Sequence, residues 1–401
     1  MGIFSFLSGT RRTLLDGAFW SGWFGSTNHS DEPVNEQTVN SIDAVYACNR
    51  LISETIGCLP FGMFEVESPR VLTPADGHPL HSLISLSPNA DQTALEFWEG
   101  VVSHVALRGG AFRLKRYSLS GEVVSLEHLP PPPYTYWKRD PGTRVRRCVV
   151  SGGPHQGEYA EDDIFYVRGF GDDPDEGISV VRYAANDFGR QMSMGRHSAK
   201  MMANGARPNM ILTTQELMTP EQRKQIKENI VSPVVGSKNA GGVMVLEAGF
   251  DMKQVTLSPA DVQLIEQMGF GVETVCRWFR TPPTMIGHSG GQTSWGSGID
   301  ALLIGFSKFT VLPYTKRIVQ AVQKQLLRPQ ARSRFRPVMA IEGLMEGDSK
   351  TRADISKSKV LSGVWSVNEA RAEDNLPPVE GGEDPRMQQQ MVPLLTTIGE
   401  E

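Results

Sequence analysis

Apolar positions along the chain fall into helical stripes separated by short alternating runs. From Ser41 to Gly57, the residues Val45, Cys48, Leu51, Ile52 and Ile56 recur at helical spacing, which predicts a helix stopped by Gly57. Phe61–Val66 reads as a strand and Thr93 to Leu107 as a second helix, followed by strands at Ala111–Tyr117, Val123–Leu129 and Ile164–Val167. The prolines from Pro130 to Pro133 and the Pro141-Gly142 turn read as connections. A third helix begins after Gly177 with Ser179 as its N-cap and carries Val180, Val181, Ala184, Ala185, Phe188 and Met192. It turns basic toward Asn204 through Arg190, Arg196, His197 and Lys200, and Gly205 and Pro208 stop it. A small module follows: a strand at Asn209–Thr213, a helix capped by Thr219, Pro220 and Gln222, a turn over Gly236–Gly242 and a strand at Val243–Leu246.

The two longest helical patterns come next. The first has Ser258 as N-cap, Pro259 at the first helical position and Asp261 in the first turn, with a stripe running from Val262 through Ile265, Met268, Val272, Val275 and Cys276 to Phe279. Pro282 and Pro283 end it, and at about 1.5 Å per residue it spans roughly 33 Å. The second starts near Ser297 and carries Ile299, Leu302, Leu303, Phe306, Thr310, Ile318, Val319, Val322 and Leu326, with a kink predicted at Pro313. Between them lies Gly287-His288-Ser289-Gly290-Gly291-Gln292-Thr293-Ser294-Trp295-Gly296-Ser297-Gly298, nearly all glycine and small polar residues. Such a hairpin suits a protein that grips or lines something elongated. The module inserted between long helices predicts a head on a two-helix stalk.

Composition narrows the class. With 401 residues, 39% hydrophobic and 21% charged, the chain predicts a soluble globular protein of two or three domains. Met1 to Phe24 has no apolar run suited to a signal peptide or membrane span, so neither secretion nor a membrane partner is expected. Cys48, Cys58, Cys148 and Cys276 lack CxxC spacing and read as reduced, mostly buried thiols. A net charge of -5 argues against tight duplex binding, yet weak contact suits DNA that must slide. Residues before Val39 read as a flexible arm and those beyond Gly381 as mobile. Asp348 to Arg371 reads as two short helices broken at Gly363.

Several near-motifs fall short of chemistry. Gly291 and Gly296-Ser297 have the spacing of a phosphate loop, but no lysine follows and no strand precedes. A nucleotide-hydrolysing enzyme using Gly291 to Ser297 is therefore only an alternative reading. Gly177-Ile178-Ser179 begins like a nucleophile elbow and lacks its second glycine. His78 and His81 have ligand-like spacing, but Pro79 intervenes and no nearby cysteine or carboxylate joins them. His104, His128, His155 and His288 are scattered. The carboxylates from Glu161 to Glu176 lack metal-loop spacing and read as a solvated loop, with a cation site as the other reading. No catalytic residue, metal or cofactor is predicted, and the chain is not expected to be an enzyme.

Short motifs then recur in a shared order: Val45-Tyr46-Ala47-Cys48 with Leu59-Pro60, His78-Pro79-Leu80, Pro88-Asn89, Phe97-Trp98, Gly109 to Phe112, and Gly121 to Leu129. Asp163-Ile164, Gly177-Ile178-Ser179, Asn204 to Pro208, Gly236 to Gly242, Phe279 with Pro282-Pro283, Ile286-Gly287, Asp348, Arg352 and Asn368-Glu369-Arg371 continue it. Over residues 40 to 385 this order resembles bacteriophage portal proteins, the ring at the DNA entrance of tailed-phage and prophage heads. Gly110-Ala111-Phe112 and Thr281-Pro282-Pro283 depart from the family's usual runs.

The resemblance implies an α+β portal fold: a flexible arm (1–39), a mixed wing (40–177), stem helix 1 (178–204), a small α/β clip (205–257), stem helix 2 (258–285), a tunnel loop (286–298), a kinked helix returning to the wing (299–345), a helical crown (346–385) and a flexible tail (386–401). It also implies a homo-oligomeric ring, nominally of 12 subunits, around double-stranded DNA. Its other partners would be the large terminase, the major capsid protein and a head-tail adaptor. Ser289 through Gly298 would face DNA, Arg190, Arg196 and Lys200 would be the stem's basic residues, and Lys224, Lys227 and Lys238 would face the terminase or adaptor. The setting is the capsid vertex of a virion, with assembly in host cytoplasm; the alternatives are an NTP-hydrolysing packaging enzyme using the loop from Gly291 to Ser297 and another capsid-associated adaptor.

Overall fold

Alternation along one central strand decides how the layers stack. In the computed structural model, which describes residues 28–68, 71–203, 210–213, 219–221, 251–254, 271–288, 297–341, 349–374 and 376–385, the first elements are α1 (Glu36–Val39), α2 (Asp43–Gly57), β1 (Phe61–Ser68), β2 (Val71–Pro74), α3 (Pro79–Ser85) and α4 (Ala94–Arg108). Strands β3 (Gly110–Tyr117), β4 (Val123–His128), β5 (Thr135–Arg139), β6 (Arg146–Val150), β7 (Gly157–Ala160) and β8 (Ile164–Arg168) follow. After them come α5 (Val180–Tyr183), α6 (Ala185–Ala203), the antiparallel pair β9 (Met210–Thr213) and β10 (Asp251–Gln254), α7 (271–279), α8 (Ser297–Phe306), α9 (Leu312–Gln325), β11 (Phe335–Met339), α10 (Ser349–Leu361) and α11 (Val367–Glu373). The chain divides into two compact units, Met1–Thr293 with Lys308–Met339, and Ser294–Ser307 with Ala340–Glu401.

In the larger unit β3 lies between β4 and β8, both antiparallel to it. Successive side chains of a strand point to opposite faces, so Phe112 and Leu114 share one face and Ala111 and Arg113 the other. The first face joins Ile164 and Tyr166 in a core closed by Cys148 and Val150 of the β5-β6-β7 sheet, with Trp137 and Tyr159 packed against it. The second meets α4: the Arg113 guanidinium sits 5.2 Å from the Phe97 ring centroid, and Trp98 stands edge-on to Phe165 at 6.3 Å. Trp98 is 2% exposed and donates from Nε1 to Ile84 O at 2.9 Å, so its burial leaves no lone donor. Burying each such aromatic contributes roughly 1.5–3 kcal/mol. A third sheet, in the order β11-β1-β2, pairs Phe61 with Met339 and links the chain's first strand to its late return.

The start of α4 follows from a capping box between Thr93 and Glu96, and its end from Gly109, whose φ of 79° is left-handed. Gly109 also meets two further glycines. A Cβ on Gly177 would lie 2.0 Å from Gly109 O, and one on Gly169 would lie 2.8 Å from the same atom, while Gly169 N donates to it at 2.8 Å. Three backbones therefore touch where the chain leaves the sheets for α5, and side chains are excluded there. Ser179 caps α5, accepting from Arg182 N at 3.3 Å and donating to Leu107 O at 3.0 Å.

Three readings need correction. The flexible arm expected over 1–39 is packed from Asn28 onward, with Val34 and Val39 buried and Glu36 paired to Arg108 at 2.9 Å. The single helix expected from Gly177 to Asn204 is interrupted at Ala184, which separates α5 from α6. The Pro141-Gly142 turn is the connection it was read as, closing a β5-β6 hairpin whose strands lie hidden among charged residues. The stretch from Glu161 to Glu176 is solvated only in part: most of its carboxylates are exposed, but it contains β8, and Asp175 accepts Arg139 Nε at 2.5 Å and Nη2 at 2.8 Å, and Arg146 Nη1 at 3.0 Å, while Arg146 also pairs with Glu161.

In the smaller unit, α10 and α11 are separated by Gly363 at φ 71°, and Ser366 and Glu369 form a capping box that starts α11. Asn368 ties the following segment down, donating to Val379 O at 3.0 Å and accepting from Val379 N at 2.8 Å.

Candidate functional site

The junction of α6, α7 and α9 gathers the features that bear on function. Two side-chain bonds join α6 to α7: Trp278 Nε1 donates to Asp187 at 3.0 Å, and Gln191 Nε2 donates to Gly271 O at 2.8 Å. Advancing four residues on α6 retreats seven on α7, so the helices run antiparallel as the two sides of a stalk must. The segment from Asn28 to Glu32 clamps α6: His29 N donates to Asn186 at 3.2 Å, and the Asn28 amide lies against Gly189, where any Cβ would collide. A cavity of about 680 Å³ opens between these pieces, lined among others by Glu32, Ile42, Gln191, Met194, Val272 and His288.

The charges expected to mark the stem are largely engaged. Arg190 pairs with Asp187 at 2.7 Å and Arg196 with buried Glu32 at 2.5 Å. Lys200 is exposed near the end of α6. On the other flank of α7, Cys276 and Cys48 of α2 are buried against each other as free thiols. Hydrogen bonding to Cys276, reinforced by burial, pushes the Cys48 thiol far up, so its proton stays in place.

Beyond α7 the backbone tightens. Arg280 takes a φ of 55°, Pro283–Ile286 form a 3-10 turn and Gly287 closes it at φ 81°. Thr310 donates to Arg280 O at 2.6 Å and Arg317 Nη1 to Gly169 O at 2.9 Å, with Arg280 and Arg317 near Tyr314 and Arg168 near Arg317. Burial, then the charges of Arg168 and Arg280, holds the Arg317 guanidinium below its usual range. Arg168 donates to Asp173 O, and no carboxylate of the described residues forms an ion pair with any of the three. This basic cluster escaped the sequence reading because its members lie on three separate segments.

Of the residues singled out from sequence, Ser289 to Gly296 and Lys224, Lys227 and Lys238 lie outside the described residues. Ser297 and Gly298 open α8, and Pro313 falls in the first turn of α9, directly after a π-helical stretch at Ser307–Val311. A proline there withholds the N–H that a regular helix would use, which suits the irregular turn ahead of it. His78 caps α3 by accepting Leu80 N at 3.1 Å. His81 stands 3.5 Å from Asp76, a carboxylate neighbour the sequence reading had not credited to it. Among the described residues no three His, Cys, Asp or Glu side chains come together as a metal site, and no helix is long and apolar enough to cross a membrane.

Comparison with known proteins gives the family. The phage portal protein model matches residues 43–375, and the chain belongs to that family. It is 32% identical to the portal protein of Enterobacteria phage HK97 over 374 residues, covering 92% of this chain and 86% of the relative. A probable portal protein of Streptomyces phage phiC31 is 26% identical, over 100% of this chain and 91% of its own. Among solved structures, an HK97-family phage portal protein from Corynebacterium diphtheriae superposes with a TM-score of 0.57 at 15% identity, over 79% of this chain and 98% of its own. A chain from the neck of a native gene transfer agent particle, computed with C12 symmetry, gives 0.55 at 22% identity, over 86% and 92%. At these identities the structural likeness concerns the fold.

Proposed function

We propose that this portal-family chain closes into a ring at one capsid vertex and serves there as the conduit through which double-stranded DNA is packaged and released. The observation that carries this is the 32% identity to the HK97 portal protein along 92% of the chain. A gene transfer agent neck computed with C12 symmetry supports a ring of twelve, since a repeated head-to-tail contact closes at a fixed order.

Within such a ring, residues 40–177 form the wing, 178–204 and 258–285 the stem, 205–257 the clip and 346–385 the crown. The clip, with Lys224, Lys227 and Lys238, faces the large terminase during packaging and the head-tail adaptor afterwards, and the wing meets the major capsid protein. Ser289 to Gly298 line the tunnel beside the DNA. Their lack of charge fits that task, because phosphate contacts made with lysine or arginine would retain a duplex that has to slide. The chain works without catalysis of its own, assembling in host cytoplasm and ending in the virion.

Electron microscopy of the purified protein tests the ring: closed particles with a hole at least about 20 Å wide, enough for a duplex, are expected, and monomers under all conditions would refute it. Deleting Ser289 to Gly296 should leave rings intact while reducing the DNA retained in particles. Unchanged DNA content would remove the loop from the tunnel role.

A further inference from the structure

Two partly exposed faces of the larger unit are incomplete in opposite senses. One is the basic cluster of Arg168, Arg280 and Arg317, which has no carboxylate partner among the described residues. Two phenylalanines adjacent in the chain to residues that hold this cluster have little cover: Phe309, next to Thr310, is 70% exposed, and Phe170, next to Gly169, is 73% exposed. Charge with uncovered aromatic surface is the composition of a protein contact rather than of a face built for water.

The other face lies where α2 and α4 cross. The helices touch closely at Gly57, whose Cβ would lie 2.8 Å from Glu99 Cγ. That crossing gathers the carboxylates of Glu54, Glu96 and Glu99, with Leu95 and Tyr46 exposed nearby. Arg50 offsets only part of this charge, through its 2.6 Å pair with Glu54. Burial, then Glu54 and Glu96, raises the Glu99 carboxyl above its usual range, so its ionised form lacks a sufficient cation.

Resting on the ring reading above, we infer that the Arg168, Arg280, Arg317 and Phe309 face of one subunit docks on the Glu54 and Glu99 face of the next. The occupant of each face is a second copy of this chain. The faces differ, so the contact is head to tail, the type that generates a ring when its rotation closes. Arginine guanidinium groups match carboxylates in shape and charge, and the aromatic rings supply the apolar area.

Charge reversal on the full-length protein tests this. The variant Arg280→Glu with Arg317→Glu and the variant Glu54→Lys with Glu99→Lys should each assemble at least about tenfold more weakly than the parent, because each sets like charges against one another. A chain carrying all four changes should form rings again, as each altered face then meets its altered complement. Mass photometry and electron microscopy read assembly, and circular dichroism confirms folding. Since Arg317 also binds Gly169 O, Phe309→Ser serves as a second probe of the basic face should the double variant misfold, with weakened assembly expected. Rings from the reversed variants at parental yield, or no recovery in the four-fold variant, would overturn the interface while leaving the ring reading intact. A parent chain that forms no rings at all would instead overturn the ring reading and this inference with it.

Discussion

Gln325 closes the edge of β8 by imitating a strand: its Oε1 accepts Tyr166 N at 2.8 Å and its Nε2 donates to Tyr166 O at 2.7 Å. A primary amide offers the same donor and acceptor as a peptide group, so one side chain from the last turn of α9 satisfies both main-chain groups of a buried residue. Gln325→Leu should strand both and cost about 1–3 kcal/mol. Gln325→Glu should be no better, since a carboxylate would face the Tyr166 carbonyl. Thermal melting decides it, and an unchanged midpoint in Gln325→Leu would show that the amide contributes nothing.

Gly177 tests the backbone junction. A Cβ there would lie 2.0 Å from Gly109 O, and the obstruction is main chain that no rotamer can move. Gly177→Ala should therefore cost more than about 3 kcal/mol or abolish soluble expression. Gly195, on α6 with open space around it, is the control: Gly195→Ala should be neutral or stabilise by up to about 1 kcal/mol. Equal melting of the two variants would contradict the close approach.

Asp175 holds the β5-β6 hairpin through Arg139 and Arg146. Burial pushes its carboxyl up, but the hydrogen bonds from both arginines outweigh this and hold it below the ordinary value of 3.8. A depressed folded value means a stabilisation fully present above 3.8 and lost as the pH falls through the folded value. Asp175→Asn should remove about 1–2 kcal/mol near neutrality and flatten acid unfolding in that window. An acid-unfolding curve identical to the parent's would count against the network.

Thiol labelling separates the four cysteines. Cys58 is exposed, whereas Cys48, Cys148 and Cys276 are buried, and burial pushes the Cys148 thiol up to about 12. Thiolate is the reactive form, so the unassembled native protein should label quickly once per chain, with the rest following unfolding. Rapid loss of a second thiol at neutral pH would show that one of the packed helices opens readily.

What the sequence made legible was local. The helix read from Thr93 to Leu107 stands at Ala94–Arg108, and Ser179 caps a helix as read, because helical stripes and caps act within a few residues. The β5-β6-β7 sheet was not legible: Lys138, Arg139, Arg146 and Arg147 mask its alternation, and the partner of Arg139 and Arg146 is Asp175, 36 and 29 residues away. The arginine cluster at Tyr314 had the same obstacle, being assembled from β8, the end of α7 and α9. The Ser307–Val311 irregularity was signalled by Pro313, but the residues that widen the turn carry no mark of their own.

The contact among Gly109, Gly169 and Gly177 has a mechanical side as well. Side chains at a joint can swing between rotamers and absorb displacement, whereas peptide against peptide has no such play. Movement of α5 along its axis would therefore be passed on undamped to the end of α4 and to β8, making this corner a stiff lever rather than a cushion.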